Sequence, residues 1–407
     1  MNPLNVAIVG GGPSGLTLAN LLSSSPETIN VTVFERDPSP TYRKTKGGTL
    51  DLHPDTGLAA LDAAGLRAAF NARARADSSS SVFSIADRHG KLVFRHSDDA
   101  ETGNLRPEID REDLRHLLLS GLPEGTIRWS AHVSSITSDG ALVFGTGTPN
   151  AQEPTTEQYD LVVGAEGTWS KVRGYVTDSR PVFSGINGFE LHITNPDFQH
   201  PEISKRVGNG LYFTIGSGLS LTGQRIGNGN IMIYAFQRGG TPNEPQDLID
   251  RCGGNLVRVQ GELKKCYERA GWSAELLEWI TAADPRTIRA WPLYEYVLPD
   301  GHVFVHKPGW TVIGDAAHVM TPFAGEGVNA AMRDALELAK RVKEAAKLDG
   351  EGRTEALDKA VREYEGEMFE RARKVMAQTM QNKNAMYADE AGSTPEYFAN
   401  MFQDMWQ

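Results

Sequence analysis

The chain has 407 residues and a formal net charge of −11, which argues against nucleic acid or an anionic membrane surface as its main partner. Hydrophobic residues at 40% and charged residues at 23% are globular values, and the length suits two coupled domains plus a terminal extension. The two cysteines, Cys252 and Cys266, give neither a disulfide framework nor paired metal-ligand spacing, so no metal site is expected and the default compartment is a reducing cytoplasm.

Residues 5–9 (NVAIV) form a short β-branched run ending in glycines, which predicts a buried parallel strand and not a cleaved leader. Residues 13–22 follow as a helix with Leu16, Ala19 and Leu22 near one face, and 31–35 (VTVFE) is the next strand, completing a βαβ unit. Residues 48–53 come next, followed by a helix-like stretch at 57–70. Residues 82–94 resemble a hairpin around His89-Gly90, 110–120 have helical spacing, and 128–143 alternate as a second hairpin. The stretch 145–157 is rich in Gly, Thr and Pro and reads as an exposed loop, before a buried strand at 161–164.

Between about 176 and 290 the texture changes. Strand-like runs at 188–193, 210–215, 219–222 and 230–237 are separated by Gly/Asn/Pro turns, which predicts an antiparallel sheet. Helices are expected at 247–251 and 262–281, the latter interrupted near Gly271. Residues 311–313 return to the parallel-strand texture. A long helix follows at 328–347, with Glu337 four residues before Arg341 as a supportive pair. The remainder, 357–407, is largely helical with a break at 392–395. No stretch approaches the ~20 apolar residues of a spanning helix.

Two segments carry chemistry. Gly10-Gly11-Gly12-Pro13-Ser14-Gly15 satisfies GxGxxG after a strand and at the opening of a helix. In that setting Gly10 allows the tight turn, Gly12 lets the backbone approach a pyrophosphate, and Gly15 permits close helix–strand packing, while the helix N-terminus attracts phosphate charge. Glu35, 20 residues past Gly15, ends the second strand where a carboxylate can accept ribose hydroxyls, and Arg36 beside it is taken as a further cofactor contact. This signal alone does not separate FAD from NAD. The second segment, GDAAHVMTPFAGEGVN from Gly314, again follows an apolar strand. Asp315 stands where it can hold ribityl hydroxyls, and Pro322, Gly325, Gly327, Val328 and Asn329 form a loop and helix start suited to the negative edge of a reduced flavin.

GxGxxG combined with GDAAHxxxPFxGxGxN resembles the single-component flavoprotein monooxygenases of the aromatic-hydroxylase type, over segments running from Val6 to about Ala339. KGGTLDLH at 46–53 and IDREDLR at 109–115 are most similar to the tetracycline-inactivating members. The resemblance implies an α/β fold: a Rossmann-like FAD-binding domain (1–77, 98–176 and 290–350), an antiparallel-sheet substrate domain (78–97 and 177–289), and a C-terminal helical segment (351–407) bridging the two. It implies FAD contacts at Asp51 and Arg111, and places Lys44 where the family carries an arginine thought to meet NADPH. It also implies that NADPH reduces FAD, which takes up O2 as a C4a-peroxide and passes one oxygen atom to a small-molecule substrate. A role in antibiotic resistance follows from the same resemblance.

In a third family segment, YDLVVGAEGTWSKVR at 159–173, Glu166 replaces the usual aspartate while Ser170 and Arg173 keep the pattern. Arg173 reads equally as a cofactor-side cation and as a structural one closing a loop. Substrate contacts are expected at Pro322, Phe323 and Gly325, and at Glu190 and Met232, which stand where the tetracycline-inactivating enzymes place a glutamine and a histidine. Their substrate-binding arginine has no counterpart near Gly218-Leu219, so a polyketide-like or phenolic compound fits as well as a tetracycline. His192 is the one candidate for assisting proton transfer; His53 and His318 read as ordinary partners of the flavin segments. The methionines at 376, 380, 386, 401 and 405, with Phe398 and Trp406, read as packing residues of a terminal helix. A monomer is expected. A flavin oxidase on the same scaffold and a flavin-free NAD(P)-dependent dehydrogenase remain alternatives.

Overall fold

The β-branched runs at 4–9, 29–34 and 161–164 pair side by side in the computed structural model, which describes residues 2–25, 28–42, 47–75, 82–97, 106–145, 155–297, 304–388 and 395. The chain divides into two units: Met1–Ala74, Arg111–Val182 and Glu295–Ala377 form the first, and Arg75–Asp110, Phe183–Tyr294 and Gln378–Gln407 the second.

The first unit is built on a five-stranded sheet in the order Trp310–Val312, Leu161–Gly164, Leu4–Val9, Ile29–Phe34, Ile127–Arg128. Every neighbouring pair is parallel. Val9 lies opposite both Gly164 and Phe34, and Gly164 opposite Val312, so the strands release their chains at one carboxyl edge. Such strands are covered on both faces, which explains their continuous apolar runs: Val6, Ala7, Ile8, Leu161 and Val163 are fully buried. The helix Pro13–Ser23 lies against the sheet and the helix Gly327–Ala346. Its residues 14–22 are all buried, so it is an internal crossover with no solvent-exposed face. A three-stranded antiparallel sheet of His132–Ile136, Leu142–Gly145 and Thr155–Glu157 joins this unit. The last of those strands corrects the loop expected across 145–157, of which 146–154 lie outside the described residues. The helix expected over 57–70 is broken into a turn at Pro54–Leu58 and short helices Ala59–Ala63 and Arg67–Asn71, because Gly65 adopts φ +71° between them.

The second unit holds a seven-stranded sheet in the order Asp284–Glu295, Val182–Ile193, Ile231–Arg238, Leu219–Arg225, Leu211–Gly216, Val82–Asp87, Leu92–Ser97. It is antiparallel at the 182–193/231–238, 231–238/219–225, 219–225/211–216 and 82–87/92–97 pairings, and parallel where Leu211–Gly216 meets Val82–Asp87. One face packs Phe189, Leu191, Ile193, Ile231 and Ile233 against Leu263, Tyr267, Trp279 and Ile280 of the helices Leu256–Arg269 and Ala274–Ala282. Gly271, at φ +75°, supplies the interruption expected there.

One assignment differs from expectation. Residues 106–110, expected with the nucleotide domain, group with the sheet unit. Arg75 donates to the Glu108 carboxylate (3.0 Å) and the Arg225 carbonyl (2.6 Å), and the Gly227 N–H donates to Asp110 (3.0 Å). Of the helical segment 351–407 expected to bridge the two domains, 351–377 groups with the first unit and the described residues from 378 with the second. Phe369 meets Phe304 edge to face at 4.6 Å, Tyr364 donates to the Val312 carbonyl at 3.3 Å, and Arg341 pairs with Glu367 at 2.6 Å. The terminal helix runs unbroken over Gly350–Met386, with Met376 and Met386 buried. The expected break at 392–394, and Phe398, Met401, Met405 and Trp406, lie outside the described residues.

Candidate functional site

Gly10 leaves the first strand at φ +111°, and a Cβ there would strike the Ala165 backbone, so only glycine fits the turn. A Cβ on Gly15 would strike the Gly10 carbonyl, which fixes the close approach of helix to strand. At Gly12 an added Cβ meets nothing within 4 Å. The fold itself therefore does not require that glycine, and the free space over the backbone is what an approaching pyrophosphate needs. Gly12 caps the helix without a side-chain hydrogen bond, with Pro13 next and no acid in the first turn, so the helix N–H groups remain available. Glu35 is buried; its two oxygens accept the Gly11 N–H (2.8 Å) and the Asp37 N–H (2.9 Å). It braces the glycine loop from the next strand, while Arg36 is exposed.

The second glycine turn sits beside the first. Gly314 adopts φ +59°, and its Cβ position lies 3.1 Å from Ser14 Oγ and 3.1 Å from the Ala331 methyl. Asp315 follows at the sheet's carboxyl edge with its side chain open to solvent. Surrounding protein nevertheless raises its pKa by desolvation, opposed by the charges of His318, Arg111 and Arg173. A carboxyl can be both open and desolvated when it lies at the floor of a depression, with protein on most sides. Pro322–Ala324 form a 3-10 turn ended by Gly325 at φ +70°, and the helix Gly327–Ala346 opens with no side-chain cap and no acid in its first turn. Its positive end is available to a negative group.

Arg111 joins this cluster: its N–H donates to the Gly48 carbonyl (3.2 Å), and its side chain fills the space a Cβ would need at Gly47 (2.7 Å). Asn329 is fully buried, accepting the His53 N–H (2.9 Å) and the Thr56 hydroxyl (3.0 Å) and donating to the Asp51 carbonyl (2.9 Å). It thereby pins residues 51–56 to the helix start, and Asp51 carries His53 Nε2 at 2.9 Å. Lys44 lies outside the described residues.

On the second unit's sheet, Glu190 and His192 alternate with the core residues Phe189, Leu191 and Ile193 and so occupy the opposite face. Met232 stands directly across from His192, and Tyr234 from Glu190. Pro322, Phe323 and Gly325 belong to the first unit, Glu190 and Met232 to the second.

The family model described as "FAD binding domain" matches residues 3–240 and 274–379. Monooxygenase penA of Penicillium thymicola is 33% identical over 94% of this chain and 95% of its own length. Monooxygenase asqM of Emericella nidulans is 32% identical over 95% and 96%. This chain is an FAD-dependent monooxygenase of the FAD binding domain family. Its fold also matches that of tetracycline destructase Tet(55), with TM-score 0.70 and 18% identity over 99% of this chain and 94% of that one.

In the monooxygenase the third family segment is held by hydrogen bonds within its own loop. Glu166 receives the Ser170 hydroxyl (2.5 Å) and the Lys171 and Val172 N–H groups (2.9 and 3.0 Å), capping the short helix Lys171–Val176. Burial pushes its pKa up, against those hydrogen bonds. The extra methylene relative to aspartate reaches this cap. Arg173 is buried and donates to the Ala316 carbonyl (3.1 Å) and the Thr168 carbonyl (2.5 Å). Burial lowers its pKa.

His318 bonds Asp334 through Nε2 at 2.5 Å, and Asp334 also accepts the Gly314 N–H at 3.1 Å. Burial pulls the His318 pKa down, but the Asp334 carboxylate outweighs it and the net value is raised. Sequence reasoning missed Asp334, Gly47 and, on the sheet face, Arg289 at 3.6 Å from Glu190. Asp334 sits in an amphipathic helix where an acid reads as solvated. The other two acquire meaning only once the chain is folded.

Proposed function

We propose that this monooxygenase consumes NADPH and O2 to hydroxylate a polycyclic or phenolic small molecule, tetracycline-like or polyketide-like, acting in the cytoplasm as a monomer. The observation that carries the reading is the meeting of two glycine turns, at Gly10–Gly15 and Gly314, on one carboxyl edge of a parallel sheet, within a chain whose relatives are monooxygenases. The protein's part is binding, orientation and exclusion of water. Gly10, Gly12 and Gly15 admit the pyrophosphate, and Glu35 and Arg36 flank the ribose. Asp51, Arg111 and Asp315 meet the remaining hydroxyls and phosphates, and Pro322, Gly325, Gly327, Val328 and Asn329 frame the ring's pyrimidine edge. Lys44 meets NADPH. Pro322, Phe323, Gly325, Glu190 and Met232 contact the substrate. Bound FAD, once reduced, supplies the activated oxygen.

The test is NADPH consumption by the purified yellow protein with a panel of tetracyclines, anthraquinones and simple phenols, followed by product mass. A gain of one oxygen atom in a coupled turnover is expected. Hydrogen peroxide equal to NADPH consumed, with every compound unchanged in mass, makes the enzyme an oxidase instead.

A further inference from the structure

The helices of the second unit hold a cavity that none of the proposed cofactor or substrate contacts uses. The helices Glu244–Arg251 and Leu256–Arg269 enclose about 390 Å³ between them, within the range of about 300–1,000 Å³ usual for small-molecule sites. Leu248, Arg251 and the capping Cys252 line it from the first helix. Arg258, Gly261, Glu262 and Lys265 line it from the second, where their spacing puts them on one face. Val259, Leu263 and Tyr267 of the same helix face the core instead. The fold gives Gly261 no reason to be glycine: it lacks a positive φ, and an added Cβ meets nothing within 4 Å. Glycine in mid-helix is less stable than alanine, so its evident effect is to keep the cavity open.

Charge around this cavity is positive on a chain whose net charge is −11. Glu262 is already paired with Lys265 at 2.8 Å. The hydrogen bond and charge of Lys265, joined by the charges of Arg269 and Arg251, hold the Glu262 pKa below the ordinary carboxylate value. Arg251 and Arg258 are exposed, and among the described residues neither guanidinium makes a hydrogen bond or ion pair. Half-buried Leu248, buried Cys252 and Gly261 offer no strong hydrogen-bonding side chain. The rim is cationic and the floor apolar. The geometry points to a binding site for a small amphiphilic phosphate monoester, its head on Arg251 and Arg258 and its apolar body over Leu248, Cys252 and Gly261. Two unpaired guanidinium forks match a head with two negative charges and several acceptor oxygens better than they match a single carboxylate. Binding there is independent of which substrate the enzyme hydroxylates.

The experiment needs neither NADPH nor turnover. The FAD-loaded full chain is titrated calorimetrically with butyl phosphate at about pH 7.5, where the phosphate head is mostly a dianion. Saturable binding of one equivalent is expected. Inorganic phosphate, which lacks the apolar body, and butyrate, which lacks the second charge, should each bind at least about tenfold more weakly. Arg251→Gln and Arg258→Gln are each expected to weaken butyl phosphate by about tenfold or more, and both should keep the wild-type Tm because the side chains are exposed and unpaired. Gly261→Leu fills the cavity and should abolish binding. Gly261→Ala is expected to raise Tm while weakening butyl phosphate by about threefold, which separates the cavity from the stability of its helix. The proposal is overturned if butyl phosphate shows no saturable binding, or if inorganic phosphate or butyrate binds as tightly. It is equally overturned if either arginine variant or Gly261→Leu binds butyl phosphate as the wild type does.

Discussion

The two units build their candidate sites from different material. In the first, backbone makes the site: the turns at Gly10 and Gly314, the free space over Gly12, and two helix starts that lack side-chain caps. In the second, side chains alternating from a sheet face make it, with Glu190, His192 and Arg289 converging from neighbouring strands. A backbone site tolerates almost no substitution at its glycines and is indifferent to many changes around them. A side-chain site reverses that pattern, since one strand position can change its chemistry without disturbing the fold.

The widest gap between the two should appear at Gly10. With φ +111° and the Ala165 backbone in the path of a Cβ, Gly10→Ala is expected to weaken FAD by roughly 100-fold or more, about 3 kcal/mol, read as flavin absorbance per protein after purification. Gly12→Ala sharpens the point. It should weaken FAD by about tenfold while leaving the apoprotein Tm unchanged, because its Cβ meets no protein atom. Full flavin retention in Gly12→Ala would remove the cofactor from that cradle.

Next comes Asp334→Ala. It leaves His318 buried without its carboxylate and the Gly314 N–H without its acceptor, and is expected to cost about 3–5 kcal/mol in denaturant unfolding, with flavin release at lower denaturant. A smaller loss is expected from Gly188→Ala in the other unit. There a Cβ would come within 2.9 Å of the Phe236 ring and 3.3 Å of Trp291, costing about 1–3 kcal/mol while flavin content holds. If flavin content falls in step with stability, the two sites are not separable as argued. Glu166→Ala removes a helix cap and should cost about 1 kcal/mol.

The smallest effect is pH-dependent. His306 sits between Glu365 at 2.7 Å and Asp358 at 2.8 Å. Burial opposes its charge, but the two carboxylates outweigh it and raise its pKa above the ordinary 6.5. The same contact lowers Asp358, whereas burial keeps Glu365 raised, so the sign is carried by His306 and Asp358. A raised folded value means that the contribution is complete below about pH 6.5 and fades as pH climbs through the elevated value. The Tm deficit of His306→Gln should therefore be larger near pH 6 than near pH 9.

How far the sequence could be read follows the same division. The strand–glycine–helix order around Gly10 and Gly314 was legible because each turn demands glycine for a local reason, and the parallel strands announced themselves by unbroken apolar runs. Glu166 read as a departure from a motif, while its contacts with Ser170, Lys171 and Val172 show a cap that a longer acid reaches as well. Arg289 gave no signal, since an arginine on a strand facing out of the core looks like any solvated charge until register sets it beside Glu190. The parallel pairing of Val82–Asp87 with Leu211–Gly216 was equally hidden, because alternation predicts a half-buried strand but not its neighbour.

The sheet order of the first unit has a consequence for biogenesis. Its opening strand, Leu4–Val9, is flanked by Leu161–Gly164, whose own neighbour Trp310–Val312 emerges more than half the chain later. The Gly314 turn beyond it is held through Asp334, which Arg371 approaches to 3.4 Å, and Tyr364 anchors the strand before it. The Gly10–Gly15 loop thus waits for the helix Gly350–Met386 before the proposed flavin cradle is whole. On the proposed function, a nascent chain stopped before Trp310 is expected to carry the Gly10–Gly15 motif without retaining FAD.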